Sequence, residues 1–146
     1  MRDGKSQEIP HMEFDPTTFV ADPELICALD ARSTPIPCDT DRLLFRQDEP
    51  PVGVYILHEG EAVLSMDAPS GQQLFSVRAP AGSLLGLPGL IGNQPYSLSA
   101  IACAGARVSF VSRAQFTSLM QADPLLSLKI LQVLAAEVRT ARRALF

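Results

Sequence analysis

Residues 52–66 read VGVYILHEGEAVLSM. An apolar run with one glycine fills residues 52–57, the polar His-Glu-Gly of residues 58–60 interrupts it, and residues 61–66 then alternate. Ala62, Leu64 and Met66 fall on one side, with Glu61, Val63 and Ser65 on the other, the period of two that an extended chain imposes. The reading is a hairpin of two strands, and it makes His58 a turn residue. Outward from this hairpin the same grammar continues. Residues 43–46 (LLFR) form a strand ended by the Asp-Glu-Pro-Pro turn at 48–51. Residues 67–71 (DAPSG) are turn chemistry, and residues 72–79 alternate again, with Phe75 and Val77 inward and Ser76 and Arg78 outward. Residues 96–102 and 106–111 make a late pair joined by Cys-Ala-Gly, with Val108 and Phe110 sharing a face. About six to eight short strands, with turns about every ten residues and no helices between them, predict a mainly β fold, an antiparallel sandwich or barrel.

Both flanks read as helical. Residues 23–29 suit a short helix, and Ser112-Arg113-Ala114-Gln115 has the S-x-x-Q form of a capping box, in which two side chains satisfy free backbone N–H groups. The helix it opens carries Phe116, Leu119 and Met120 on one stripe and stops at Asp123-Pro124, where Asp can cap the next helix and Pro suits its first turn. That last helix runs from about residue 124 to the end, about 33 Å at 1.5 Å per residue. Leu131, Leu134, Val138, Ala141 and Leu145 recur at alternating three and four residues, a narrow seam suited to a partner helix, while Leu128, Ile130 and Val133 widen the apolar face near its start. The expectation is a homodimer paired through this helix; the alternative is a seam folded back on its own sheet. Arg139, Arg142 and Arg143 sit where the helix dipole favours cations, so a solvated face accounts for them as well as a contact does.

The chain has 146 residues, 47% of them hydrophobic and 19% charged, with a formal net charge of -4. That balance suits a folded domain, residues 19–146, behind a polar tail, residues 1–18, with the β region at about 40–111 and helices over 112–146. A net negative charge gives no field to hold a nucleic-acid backbone. Cys27, Cys38 and Cys103 form no CxxC pair and no even set, which fits a reducing compartment, and residues 1–10 lack the apolar stretch of a secretory signal. The expected location is the cytoplasm, with no membrane contact. His11 and His58 cannot form an H-x-H or H-E-x-x-H group, no G-x-S-x-G elbow is present, and the sequence brings no histidine to Cys103. No metal, no catalytic residues and no enzyme are expected.

The remaining stretch, residues 82–100, reads GSLLGLPGLIGNQPYSLSA and contains no charged residue. It suits a strand, one helical turn and a return strand. Free N–H groups from about Gly89 to Ile91 can point at an anion, with glycines letting a ligand approach the backbone; a tight apolar corner explains the same residues equally well.

The order of Leu44-Phe45-Arg46-Gln47, Val54-Tyr55-Ile56-Leu57, Glu59-Gly60-Glu61-Ala62-Val63, Pro80-Ala81-Gly82-Ser83-Leu84-Leu85-Gly86 and Ser99-Ala100-Ile101-Ala102 resembles the cyclic nucleotide-binding domain of the catabolite activator and FNR family of bacterial transcription regulators. The resemblance implies a double-stranded β-helix, or jelly roll, with flanking helices, a short helix in a phosphate-binding cassette, and a long C-terminal helix that pairs two subunits. In the family the cassette has a Glu that accepts from the ribose hydroxyl and an Arg that pairs with the cyclic phosphate. Here Gly86 keeps the glycine, but Leu87 stands for the Glu and Tyr96 for the Arg, with Ser97 retained.

Two lost charge-assisted hydrogen bonds, at about 1.5 to 3 kcal/mol each, weaken binding by roughly two to four powers of ten. Gly86, Leu87, Pro88, Gly89, Asn93, Tyr96 and Ser97 are therefore the candidate ligand residues of a degenerate site. Tight cyclic AMP binding is not expected and no cofactor is implied. A smaller or less polar regulator, a protein partner, or no ligand at all are the open readings, together with a true nucleotide sensor that borrows Arg78, Arg107 or Arg142 from outside the cassette. Asp48 stands where the family usually has a turn glycine, and Asp tolerates a positive φ better than most residues. Family regulators continue into a winged helix-turn-helix, whereas this sequence stops at Phe146, so this chain alone is not expected to bind nucleic acid; it is either a free-standing sensor domain or a piece of a longer regulator.

Overall fold

The computed structural model describes residues 15–145. Most of the expected tail, residues 1–14, lies outside them, as does the side chain of Leu145. The last tail residues are ordered. Pro16–Phe19 forms a single 3-10 turn, capped by the Asp15 side chain, which accepts from the Thr17 N–H.

Eight strands follow: β1 (Thr34–Ile36), β2 (Arg42–Phe45), β3 (Gly53–Glu59), β4 (Ala62–Asp67), β5 (Gln73–Ala79), β6 (Ser83–Leu85), β7 (Ser99–Ala102) and β8 (Arg107–Ser112). They form two four-stranded antiparallel sheets, β1-β8-β3-β6 and β2-β7-β4-β5. This is the expected jelly roll, beginning at Thr34 rather than near residue 40.

Four helices flank it: α1 (Pro23–Asp30), α2 (Leu87–Gly92), α3 (Arg113–Ala122) and α4 (Leu125–Leu145). The capping box of α3 is present in both directions. Asp22 caps α1 by accepting from the Glu24 N–H, and Lys129 of α4 reaches the same carboxylate at 3.0 Å, tying the first helix to the last. No helix among the described residues is long and apolar enough to cross a membrane.

Two cores result, one on each side of the first sheet. Between the sheets lie Phe45, Tyr55, Leu57, Leu64, Leu85, Tyr96, Ala100 and Val108. Outside the first sheet, Val54, Ile56, Leu84 and Val111 pack with Leu25, Leu29, Leu87, Leu90, Phe116, Leu126, Ile130 and Val133 from the helices. Alternate residues of β3 thus serve different cores, which is why residues 54–57 are buried without interruption.

Several expectations change. His58 belongs to β3, not to the turn, which falls at Gly60 with φ 86°. Its Nε2 lies 2.9 Å from the Ser109 Oγ of β8 and 3.0 Å from the Asp30 Oδ1 at the end of α1. Both partners meet the same nitrogen, so the ring ties helix to sheet and cannot pass a proton from one to the other in the manner of a catalytic triad. The strand expected at 96–102 starts only at Ser99, because Tyr96 folds back on the loop before β3. On α4, Leu128 is 60% exposed and Leu126 takes the inward position: the buried stripe is Leu126, Ile130 and Val133, at intervals of four and three.

Candidate ligand pocket

Gly86 opens the cassette helix α2 at φ 89°, in the left-handed region, and a Cβ there would sit 3.0 Å from the Tyr96 ring. Glycine is what this approach requires. From Gly86 the short helix divides its side chains between the two cores. Leu87 turns outward into the helix-packed core and is fully buried, with Leu90 beside it. Pro88 and Gly89 lie along the hollow of the roll, Pro88 exposed and Gly89 buried. Arg113 of α3 holds the helix in place, donating to the carbonyls of Leu90 (3.5 Å) and Pro51 (3.1 Å).

Tyr96 comes back across the same space. Its ring stacks on Phe45 with centroids 4.1 Å apart, and its hydroxyl donates to the Gly53 carbonyl at 2.9 Å while accepting from the Val52 N–H at 3.1 Å. Its backbone donates to Glu49 and accepts from the Asp48 N–H at 2.7 Å. Gly53 sits at the other end of that hydroxyl bond because a Cβ there would fall 2.3 Å from the Val111 carbonyl. Asp48 has the positive φ, 74°, that its position in the turn suggested.

Between these groups a hollow of about 320 Å³, counted out to its mouth, is lined by Phe19, Phe45, Leu64, Leu85, Gly86, Pro88, Gly89, Tyr96, Ser97, Leu98 and Glu137. Only about 20 Å³ of it admits the centre of a water molecule, room for roughly one. Five expected site residues, Gly86, Pro88, Gly89, Tyr96 and Ser97, meet there. Two do not. Leu87 belongs to the other core, and Asn93 ends α2 in a left-handed cap, exposed to solvent. The α2 N–H groups find no basic neighbour in the lining to help them hold an anion.

Glu137 is the residue the sequence reading missed. It continues the inward stripe of α4, four residues after Val133, and reaches the hollow beside Phe19. Its Oε2 is buried and has no hydrogen-bond partner among the described residues. Burial pushes the carboxyl up to about 8, because a charge there would face low-dielectric surroundings with nothing to balance it. The available signal was an acidic residue in register with Leu126, Ile130 and Val133. One turn on, the Thr140 hydroxyl meets that of Thr18 at 2.7 Å and seats the helix on the 3-10 turn.

The opposite side of α4 carries a shallow groove formed by Leu131, Leu134, Ala135, Val138, Arg139 and Arg142. Leu131 and Val138 are exposed, Leu134 is half-buried against the helix-packed core, and Ala141 is half-buried. The arginines proposed as substitutes for the cassette Arg are elsewhere. Arg78 pairs with Glu61 at 3.1 Å and Arg107 with Glu59 at 3.2 Å, both exposed, and Arg142 lines the outer groove.

A jelly roll with a one-helix cassette and a long closing helix is the architecture of the cyclic nucleotide-binding domain. Residues 36–123, more than half of the chain, match the family model of the cyclic nucleotide-binding domain, and the chain belongs to that family. Solved structures agree on the fold. The catabolite activator protein of Thermus thermophilus superposes with a TM-score of 0.74 at 20% identity, over 90% of this chain and 62% of that one. The sensor domain of the transcriptional regulator DNR from Pseudomonas aeruginosa gives 0.63 at 23% identity, over 84% of this chain and 81% of that one. The regulatory domain of Toxoplasma gondii PKA, solved with cAMP, gives 0.63 at 24% identity, over 80% and 43%. The chain thus spans about three-fifths of the length of the Thermus protein. A search of curated proteins found no match.

Proposed function

We propose that this chain is a regulatory sensor domain whose pocket does not hold cyclic nucleotides tightly and whose last helix pairs two copies. The observation that carries the reading is the composition of the hollow. Among the residues that line it none is basic, and Tyr96 occupies the place where the resemblance puts the phosphate-binding Arg. Leu87, in place of the ribose-binding Glu, turns away altogether. Exposed Leu131 and Val138 on α4 support pairing with a second copy, since apolar seams of this spacing are covered in stable assemblies.

Calorimetric titration with cyclic AMP and cyclic GMP tests the first half: binding weaker than about 1 mM is expected from the missing contacts, and micromolar affinity for either overturns it. Sedimentation tests the second half. A dimer that Val138→Glu converts to monomer is expected, and a wild-type monomer at high concentration refutes the pairing.

A second reading, a structural module that binds nothing, draws support from the doubly bonded Tyr96 hydroxyl in the middle of the pocket. It leaves the orphan Glu137 oxygen without a purpose.

A further inference from the structure

The two halves of α4 are held on the domain by different means. Up to Val133 the helix buries Leu126, Ile130 and Val133 in the helix-packed core, and Lys129 ties it to Asp22 at 3.0 Å and Glu24 at 3.4 Å. Beyond Val133 the described side chains of the helix are half-buried or exposed. That half meets the 3-10 turn and the mouth of the roll through Glu137 and Thr140, whose hydroxyl lies 2.7 Å from that of buried Thr18. Its docking lacks the apolar anchor of the first half and is correspondingly sensitive to a single polar group.

Glu137 is that group. The residue is half-buried, yet its Oε2 is sealed from solvent and without a hydrogen-bond partner among the described residues. Protonated, the carboxyl is a neutral group beside Phe19, Phe45, Leu64 and Leu85, at modest cost. Ionised, it needs several donors, and the space before it admits about one water. No cation is at hand. The lining adds one other titratable side chain, Tyr96, whose hydroxyl is committed to Gly53 and Val52. Of the elements packed on α4, the 3-10 turn brings only its cap Asp15, bonded to Thr17, and α1 brings Asp22 and Glu24, both on Lys129, and Asp30, on His58. The charged residue of α3, Arg113, is engaged by the Leu90 and Pro51 carbonyls, and on α4 itself Arg139 and Arg142 line the outer groove. A charge on Glu137 can therefore be met only by water, and that water lies outside the docked interface.

We propose that Glu137 is a proton-operated latch. While it carries a proton, the second half of α4, about residues 134–145, lies on the roll; when it ionises, that half lifts away, carries the carboxylate into water and uncovers the hollow. Val138 and Ala141 of the outer seam ride on this half, so one carboxyl on the inner side sets how the seam is presented on the outer. The first half stays in place, because the stripe of Leu126, Ile130 and Val133 that holds it contains no titrating group. The latch goes beyond the reading given above and does not need it, since a chain that sediments as a monomer still has it.

Amide hydrogen exchange of the whole chain, followed across pH, tests it. Amides of residues 134–145 are expected to open more readily than those of residues 126–133 and of β3, so that this half moves alone. Burial holds the docked carboxyl up to about 8, against an ordinary value of 4.5, so the undocked state gains from ionisation throughout that window. Corrected for the intrinsic pH dependence of exchange, the opening equilibrium of residues 134–145 should rise about ten-fold per pH unit between about 5.5 and 7.5 and level off above about 8. Glu137→Gln, which keeps the shape and cannot ionise, should flatten that slope. The carbon resonance of the Glu137 carboxyl follows the same ionisation in the unaltered protein, so the test does not rest on the variant. A flat profile in wild type, opening of the second half only together with β3, a slope that Glu137→Gln leaves in place, or a carboxyl that titrates in the ordinary glutamate range each overturn the latch.

Discussion

Leu87 and Tyr96, which the resemblance sets at the two charged positions of the family cassette, lie within one short stretch yet end in different cores. Leu87 joins an aliphatic layer of Val54, Ile56, Leu84, Leu90 and Val111 that is closed between the first sheet and the helices. Tyr96 enters the interior of the roll, where aromatic rings, a backbone-anchored hydroxyl and an unpartnered carboxyl surround residual space. In the first, apolar replacement of a ligand contact is absorbed as ordinary packing. In the second the hydroxyl of Tyr96 is itself satisfied, and the polar group without a partner among the described residues is Glu137, across the hollow.

The largest contrast should come from acidity. Glu137 holds its proton in the folded chain up to about 8, against an ordinary value of 4.5, so between those values the native state binds a proton that the unfolded chain has released. Its favourable contribution is complete below 4.5 and is lost as pH rises through about 8. Stability should therefore fall by up to about 1.4 kcal/mol per pH unit across that window, roughly 5 kcal/mol in all. Urea unfolding of wild type and Glu137→Gln at several pH values checks it. The slope of the variant should be shallower by that amount, and parallel curves would show that Glu137 is ionised without penalty.

The filled core should respond to volume instead. Leu87→Ala removes a side chain with no exposure from a layer that helices keep from collapsing, and a loss of about 3 kcal/mol is expected at every pH. The pH dependence set by Glu137 should stay as in wild type, since Leu87 does not line the hollow. A changed pH dependence with little loss of stability would erase the distinction between the two cores. Tyr96→Phe is the complement. It keeps the stack on Phe45 but strands the Gly53 carbonyl and the Val52 N–H, at about 1 to 2 kcal/mol, read as a lower urea midpoint with an unchanged m-value.

Most of the roll was legible because its outer strands announce themselves locally. The alternation of β4 and β5 places Ala62, Leu64, Phe75 and Val77 on the inner side, as their spacing requires, and the Ser112 cap depends on residues three apart. What stayed hidden depends on distance. His58 looked like a turn because its partners, Asp30 and Ser109, come from α1 and β8. The side to which Leu87 turns is decided by a helix of six residues lying between two apolar cores, either of which would accept a leucine. Glu137 was read past for a related reason: attention to the outward seam of α4 concealed that its inward stripe carries an acid. The motif order thus located Gly86, Pro88, Gly89, Tyr96 and Ser97 in the pocket but not the helix residue that faces them.

The smallest expected effect tests how Tyr96 is held. Asp48 adopts φ 74° without a glycine's freedom, and its N–H donates to the Tyr96 carbonyl at 2.7 Å. Asp48→Gly removes the steric cost of that conformation, about 1 kcal/mol, but also releases a more flexible unfolded chain, which offsets about half of it. A net gain of about 0.5 kcal/mol, or a rise of about 1 to 2 °C in Tm, is therefore expected. The same substitution leaves the bond to Tyr96 in place, so the cost of Tyr96→Phe should be the same with Asp or Gly at position 48. If the two effects do not add, strain at Asp48 is part of what holds the tyrosine loop over the hollow, and the turn before β3 shapes the interior of the roll as much as the residues that line it.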